Sequence, residues 1–264
     1  MNHKLYIIEG LPCSGKSTTS AFIADLLKER YKVCYIDEGT DDHPADYEFH
    51  AFITETELSD FTLEEQDTIR SCSELMQDDY IVPLARFEGG LFERLLQHKI
   101  YDFLPWETEM PVMLEKWRHF CENADENTVY VFNCVMLQNP MCETMMRFGF
   151  TLEQSQAYIS EIAKIIQPLD PVVIYLKNDD IQSSVENAAR EREGWLEAVI
   201  DYHVNGAYGK SIGAVGFDGY ISCLEERRRR ELEILSRLSV TSHVIKNPQR
   251  DWTAAYETIR RICI

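Results

Sequence analysis

Gly10-Leu11-Pro12-Cys13-Ser14-Gly15-Lys16-Ser17 fits the pattern G-x-x-x-x-G-K-[ST], that of a loop that binds nucleotide phosphates. So short a pattern needs its context. Before it, Lys4-Leu5-Tyr6-Ile7-Ile8-Glu9 is an apolar run of β-favouring residues and reads as a strand. After it, from Thr18 to Tyr31, Ala21, Phe22, Ala24, Leu26 and Leu27 recur among Ser, Asp, Lys and Glu at the spacing of an amphipathic helix. Strand, glycine loop and helix together are the required context. Gly10 and Gly15 allow turns that a side chain would obstruct. Successive N–H groups can then curl around phosphate oxygens, with the positive end of the helix behind them. Lys16 is expected to reach the β- and γ-phosphates and the Ser17 hydroxyl to bind Mg²⁺. Pro12, Cys13, Ser14 and Thr18 complete the expected nucleotide contacts.

The chain has 264 residues, 45% hydrophobic and 27% charged, with a formal net charge of −19. That acidity opposes nucleic acid and anionic membranes as partners. A polyanionic nucleotide must therefore meet locally concentrated cations and Mg²⁺. Eight cysteines without a C-x-x-C pair read as free thiols of a reducing compartment. No apolar run approaches the roughly 20 residues that span a bilayer, and no signal-peptide pattern precedes the first strand. A cytoplasmic protein is expected.

Lys32-Val33-Cys34-Tyr35-Ile36 is the second strand and ends in Asp37-Glu38-Gly39-Thr40. Ligands of open α/β sheets bind at the carboxyl ends of strands, so Glu38, with Asp37 as second choice, is placed as a base near the γ-phosphate. In Asp41-Asp42-His43-Pro44-Ala45-Asp46-Tyr47, which reads as a polar loop, His43 is a candidate acceptor contact. Residues from about 41 to 125 read as a helical insertion covering the acceptor, with helices over Leu63–Met76, Leu91–Ile100 and Met113–Cys121. Thr128 to Cys134 is the third strand. It ends in Asn133, where an acidic residue would support Mg²⁺. Gln138 is a candidate substrate contact or part of a turn before Pro140.

Thr151 caps a helix to Gln167, with Gln154 three residues on. Pro171 to Leu176 is an apolar fourth strand. Residues of about 179–195 read as a lid whose Arg190 and Arg192 close on the transferred phosphate. Gly206, Gly209, Gly213, Gly216 and Gly219 suggest a mobile loop. Arg227–Arg230, flanked by glutamates, suggests a salt-bridged face on a helix from Tyr220 to Leu238. A fifth strand, Val240 to Lys246, and a helix, Trp252 to Cys263, close the chain. The expected fold is a single three-layer α/β domain over 1–264, with a parallel five-stranded sheet and the helical insertion between the second and third core strands.

Three of these features, in order, resemble the nucleoside and nucleoside-monophosphate kinase group of P-loop proteins, in particular an atypical bacterial, thymidylate-kinase-like branch. They are the Gly10–Thr18 loop, Asp37-Glu38-Gly39-Thr40 after the second strand, and Pro171–Asp180 followed by Arg190 and Arg192. The resemblance implies a P-loop kinase fold, ATP and Mg²⁺ as cofactors, a phosphotransferase with a small-molecule acceptor, and Asp37 or Glu38 as base. The chain departs from the group at Asn133-Cys134, where Asp-Arg or Glu-Arg is usual, and residues 41–125 do not match it. A homodimer is the assembly provided for. The alternative function is a regulatory ATPase or nucleotide switch without a small acceptor. No guanine-specifying N-K-x-D tetrapeptide is present.

Overall fold

The computed structural model describes residues 3–40 and 42–263; Asp41 lies outside them. In chain order the elements are β1 (Leu5–Glu9), α1 (Lys16–Lys28), β2 (Lys32–Tyr35), β3 (His50–Ile53), α2 (Glu55–Leu58) and α3 (Leu63–Cys72). Then come β4 (Glu74–Met76), β5 (Asp79–Pro83), α4 (Gly89–Leu96), a turn α5 (Ile100–Phe103), α6 (Trp106–Asn123), β6 (Thr128–Asn133) and α7 (Gln138–Met141). The last part holds α8 (Leu152–Ile166), β7 (Val172–Lys177), α9 (Ile181–Ala189), α10 (Trp195–Asn205), α11 (Ala207–Ser211), α12 (Gly216–Arg237), β8 (Thr241–Lys246) and α13 (Trp252–Cys263). The chain forms two compact units. One runs through Glu38 and resumes at Trp117; the other is Gly39–Lys116.

The first unit is built on a five-stranded sheet in the order β2-β6-β1-β7-β8, with every pairing parallel. β1 lies at the centre, and Ile8 is in register with Asn133 on one side and Ile174 on the other. The inner strands β1 and β7 are buried on both faces because helices cover both, whereas the edge strand β8 is largely exposed. Alternate residues share a face. Tyr6 and Ile8 join Val131, Ile174 and Leu176 in a core with Ile23, Leu27 and Ile259 of α1 and α13. On the opposite face Phe120 of α6 packs on Tyr130 and Phe132, with ring centroids 5.0 and 5.1 Å apart. There too the Tyr175 hydroxyl donates to Glu231 of α12 at 2.6 Å. Helix, sheet and helix make the three layers expected of a P-loop NTPase.

α8 begins as its sequence indicates: Thr151 and Gln154 form a reciprocal capping box. The glycine-rich stretch corrects the sequence reading, because it is helical, with α11 and the first turn of α12 inside it. A β-carbon at Gly209 would lie 2.2 Å from the His203 carbonyl oxygen, so this glycine serves close packing rather than mobility. After β7, α9 stops at Ala189 and α10–α12 follow, with Ile181, Val185, Tyr220 and Leu224 in a core joined by Trp195 and Val199. Within this group His203 is buried. Its Nδ1 sits 2.7 Å from the Val199 carbonyl, and its ring lies edge-on to Tyr220 at 4.8 Å.

The second unit differs from the helical insertion expected. Its helices accompany a three-stranded antiparallel sheet in the order β3-β5-β4. The helix read over Leu63–Met76 ends at Cys72, and Glu74–Met76 turns through Gln77 (φ 57°) to pair with β5. Strands of three to five residues give too little alternation to be recognised locally, and β3 pairs with β5 only across α2, α3 and β4. Capping boxes at Thr54/Glu57 and Thr62/Glu65 start α2 and α3. The core is Ala51, Ile53, Leu58, Phe61, Ile69, Val82, Leu84 and Leu95.

All eight cysteines are free thiols. Among the described residues no helix is long and apolar enough to cross a membrane.

Ile8 is fully buried at the sheet centre. Ile8→Ala should lower the unfolding free energy by about 2–5 kcal/mol in denaturant titration. His203 is held neutral by burial first and then by the Arg227 charge, which bring its pKa down to about 4 from an ordinary 6.5. Between those values the unfolded chain takes up a proton that the folded chain refuses. Stability should therefore fall as pH drops from 6.5 toward 4, by up to ~3 kcal/mol for this residue. His43, brought to about 4 mainly by burial, adds in the same direction. His203→Phe should flatten the acid limb of the stability–pH curve; an unchanged slope would contradict this account.

Candidate active site

β1 delivers the chain to the phosphate-binding loop with Glu9 as its last residue. Cys13 (φ 65°) and Gly15 (φ 92°) turn the backbone through the left-handed region, and α1 starts at Lys16. Gly15 has two reasons to be glycine. Its φ is positive, and a β-carbon there would lie 2.4 Å from the Trp252 ring. No side chain caps α1, which leaves its first N–H groups for an anion. Lys16 is buried beneath the loop, and its ammonium donates to the Leu11 carbonyl at 3.0 Å. Ser17 and Thr18 are exposed at the start of the helix.

Asn133, fully buried at the end of β6, organises the neighbouring strand end. Its amide nitrogen donates to Asp37 Oδ1 at 2.6 Å and to Ser17 Oγ at 3.4 Å, and its oxygen accepts from the Glu38 N–H at 2.9 Å. An aspartate here would set a second carboxylate against Asp37, at a cost in like-charge repulsion. The amide instead holds the Asp37 carboxylate and the Ser17 hydroxyl on one group. Asp37, with burial, also pushes the Tyr35 hydroxyl up to about 12.

Glu38 projects beyond this clamp. Gln138 Nε2 donates to its Oε1 at 2.5 Å, and the Cys134 thiol donates to Oε2 at 3.0 Å. Gln138 is itself placed by Glu9. That carboxylate is fully buried and accepts the backbone N–H groups of Met136, Leu137 and Gln138 at 2.8, 2.9 and 3.1 Å. Burial pushes Glu9 up to about 7, against the pull of those N–H donors. Three convergent donors aim at an acceptor, so the group acts as a carboxylate anchor.

The loop, Glu38 and Gln138 line a cavity of about 470 Å³. Its far wall comes from Cys142 and from the helices after β7: Trp195, Val199, Tyr202, His203 and Arg227. Arg192 sits exposed on the rim, its guanidinium 5.5 Å from the Trp195 ring centroid. Thus Lys16, Ser17, Glu38, Gln138 and Arg192 line one cavity, and Asn133 and Asp37 are bonded to its edge. Arg190 is held by Asn187 Oδ1 at 3.2 Å in the turn after α9, and it does not line the cavity. His43 belongs to the second unit, where its Nδ1 accepts from the Ala45 N–H at 3.1 Å.

Glu9, Cys142, His203 and Arg227 are the members the sequence reading missed. Glu9 carried a signal, an acidic residue closing an apolar strand directly before the loop. Arg227 did not. Of the four consecutive arginines, Arg229 and Arg230 pair with Glu226 as expected. Arg228 caps the Asn178 carbonyl at 2.6 Å. Arg227 alone turns inward, fully buried against Glu231 at 2.6 Å.

A divalent cation of the Mg²⁺ type binds through one or two carboxylates, phosphate oxygens and water rather than an all-protein cage. Ser17 and Asp37, joined through Asn133, are a donor set of that kind. Among the described residues no group of three or more His, Cys, Asp or Glu side chains is arranged to hold a metal alone.

No protein-family model matches the chain, and no curated protein matches it. Among solved structures it is similar to a thymidylate kinase from Ehrlichia chaffeensis, with 13% identity, all of both chains covered and a TM-score of 0.45. It is also similar to the YorR protein of Bacillus subtilis, solved with phosphorylated GDP (14% identity, 98% of this chain and 95% of that one, TM-score 0.39). A third is a GTPase in apo form from Pyrococcus abyssi (12% identity, 99% and 98% covered, TM-score 0.31). At such identities and scores these likenesses transfer no activity to this chain.

Proposed function

We propose that the chain is an ATP- and Mg²⁺-dependent phosphotransferase that moves the γ-phosphoryl group to a hydroxyl of a small molecule. The observation that carries this reading is a single cavity that joins the phosphate-binding loop to a restrained carboxylate, Glu38. A protein that only bound or hydrolysed nucleotide would not need a walled space beyond the loop.

The backbone N–H groups of the loop and the Lys16 ammonium hold the β- and γ-phosphates. The acceptor hydroxyl lies between Glu38 and the phosphorus. Each Glu38 oxygen has two lone-pair sites, and Gln138 and Cys134 take one apiece. A free site remains for the hydroxyl proton, while both restraints fix the direction of the carboxylate. As the acceptor oxygen bonds to phosphorus, its proton passes to Glu38, the bond from phosphorus to the bridging oxygen breaks, and ADP leaves. Ser17 and Asp37 would hold Mg²⁺, which would neutralise charge on the phosphate oxygens. Glu38 lines the cavity and Asp37 does not, which favours Glu38 as the base. Arg192 lines the same cavity, which supports a role for it in meeting the transferred phosphoryl group.

Lys16→Ala should abolish acceptor-dependent ADP release. Glu38→Gln should lower kcat by about 10²–10⁴-fold while the KM for ATP changes less than about threefold. Both are read in a coupled ADP assay with a pool of small metabolites. Full turnover by Glu38→Gln would remove Glu38 from the mechanism. ATP hydrolysis indifferent to every metabolite would favour a nucleotide switch instead.

A further inference from the structure

Buried polar atoms in folded proteins almost always have a hydrogen-bond partner. The cavity beyond the loop breaks that rule three times. Arg227 Nη2, His203 Nε2 and Gln138 Oε1 are buried without a protein partner, on side chains that are 0%, 4% and 9% exposed. All three residues line the same cavity. The Tyr220 hydroxyl, on the residue whose ring is edge-on to His203, is a fourth such atom.

The chemistry of each atom is set by its other bonds. Gln138 donates through Nε2 to Glu38, so its free atom is an oxygen and accepts. His203 Nδ1 faces the Val199 carbonyl, which can only accept, so Nδ1 carries the hydrogen. Burial and the nearby Arg227 keep a second proton off the ring, and Nε2 is therefore an acceptor too. Arg227 gives Nε to Glu231 at 2.6 Å and Nη1 to the Cys142 sulfur at 3.2 Å, which leaves Nη2 as a donor. The residues of this cavity thus hold two unpartnered acceptors and one unpartnered donor.

Its charge is equally informative. Arg227 is balanced by Glu231, His203 is neutral, and Glu38 adds a carboxylate. The remaining cations of the cavity, Lys16 and Arg192, stand at the loop and the rim with the triphosphate. This wall has no surplus positive charge for a second phosphate. Trp195 and Tyr202 add aromatic surface beside the polar atoms, as suits a ring-shaped ligand.

We infer that the acceptor is an uncharged, ring-containing compound with several hydroxyl or N–H groups and no phosphate, gripped by Gln138, His203 and Arg227. Two of its hydroxyl or N–H groups donate to Gln138 Oε1 and His203 Nε2, and one oxygen accepts from Arg227 Nη2. A site built to hydrogen-bond particular hydroxyls rejects compounds that lack them, because its own polar atoms would then stay unpaired. The inference rests on the phosphotransferase reading above.

The test compares matched compounds on the wild-type protein with ATP and Mg²⁺: monosaccharides and nucleosides in one arm, their monophosphates in the other. Acceptor-stimulated ADP release is the readout. At least one uncharged compound should stimulate it, with kcat/KM about 100-fold or more above that of its monophosphate. His203→Phe should raise the KM for that compound about tenfold and leave the KM for ATP unchanged, and His203→Gln, which keeps an acceptor, should recover part of the loss. Preference for the monophosphate, or an unchanged acceptor KM in His203→Phe, overturns the inference and leaves the phosphotransferase reading standing. No stimulation in either arm sinks both. The wild-type comparison does not depend on either variant folding.

Discussion

The buried Glu9 carboxylate is the point on which the site depends. A fully buried carboxylate costs several kcal/mol in lost hydration unless dipoles replace the water. Here three successive N–H groups replace it, those of Met136, Leu137 and Gln138. The bonds tie the end of β1, where the phosphate loop begins, to the segment after β6. They set the backbone of Gln138, whose amide then restrains Glu38. The start of the loop, Gln138 and, through Gln138, Glu38 thus share one anchor in the residue before Gly10.

The second organising feature is the management of negative charge. A chain with net charge −19 brings few cations to the cavity beside the loop, each placed by a specific contact. Lys16 lies under the loop, Arg192 stands against Trp195, and Arg227 is locked to Glu231. Asn133 belongs to the same pattern. With Asp37 2.6 Å from its amide, a carboxylate at 133 would add repulsion where an amide adds a bond. β6 thus ends in an amide, and a carboxylate is held at the neighbouring strand end instead.

Legibility followed the range of the interactions. The loop, α1, the core strands and the cap of α8 are written in contiguous residues, because each depends on local periodicity or on a side chain bonding to backbone three residues away. The sheet of the second unit was not legible, since its strands have only three to five residues each and β3 meets β5 only across the helices between them. The glycines at 206–219 misled for a related reason. A glycine that permits a turn and one that permits close packing look alike in sequence, and the His203 carbonyl facing Gly209 appears only once α10 and α11 are in place.

By itself the sequence determined that a phosphate-binding loop joins a buried strand to a helix, that acidic residues follow the second strand, and that the sheet is parallel. These follow from short-range sterics and hydrophobic pattern. Only the tertiary structure decided which arginine of a run of four turns inward, which of Arg190 and Arg192 lines the cavity, and what Asn133 does. It also decided that Gln138, His203 and Arg227 share one wall. Those outcomes depend on burial and on hydrogen bonds between residues up to about a hundred positions apart, such as Asn133 to Ser17 and Gln138 to Glu38. No local pattern encodes them, because the energy of each bond exists only after the strands that carry the partners have paired.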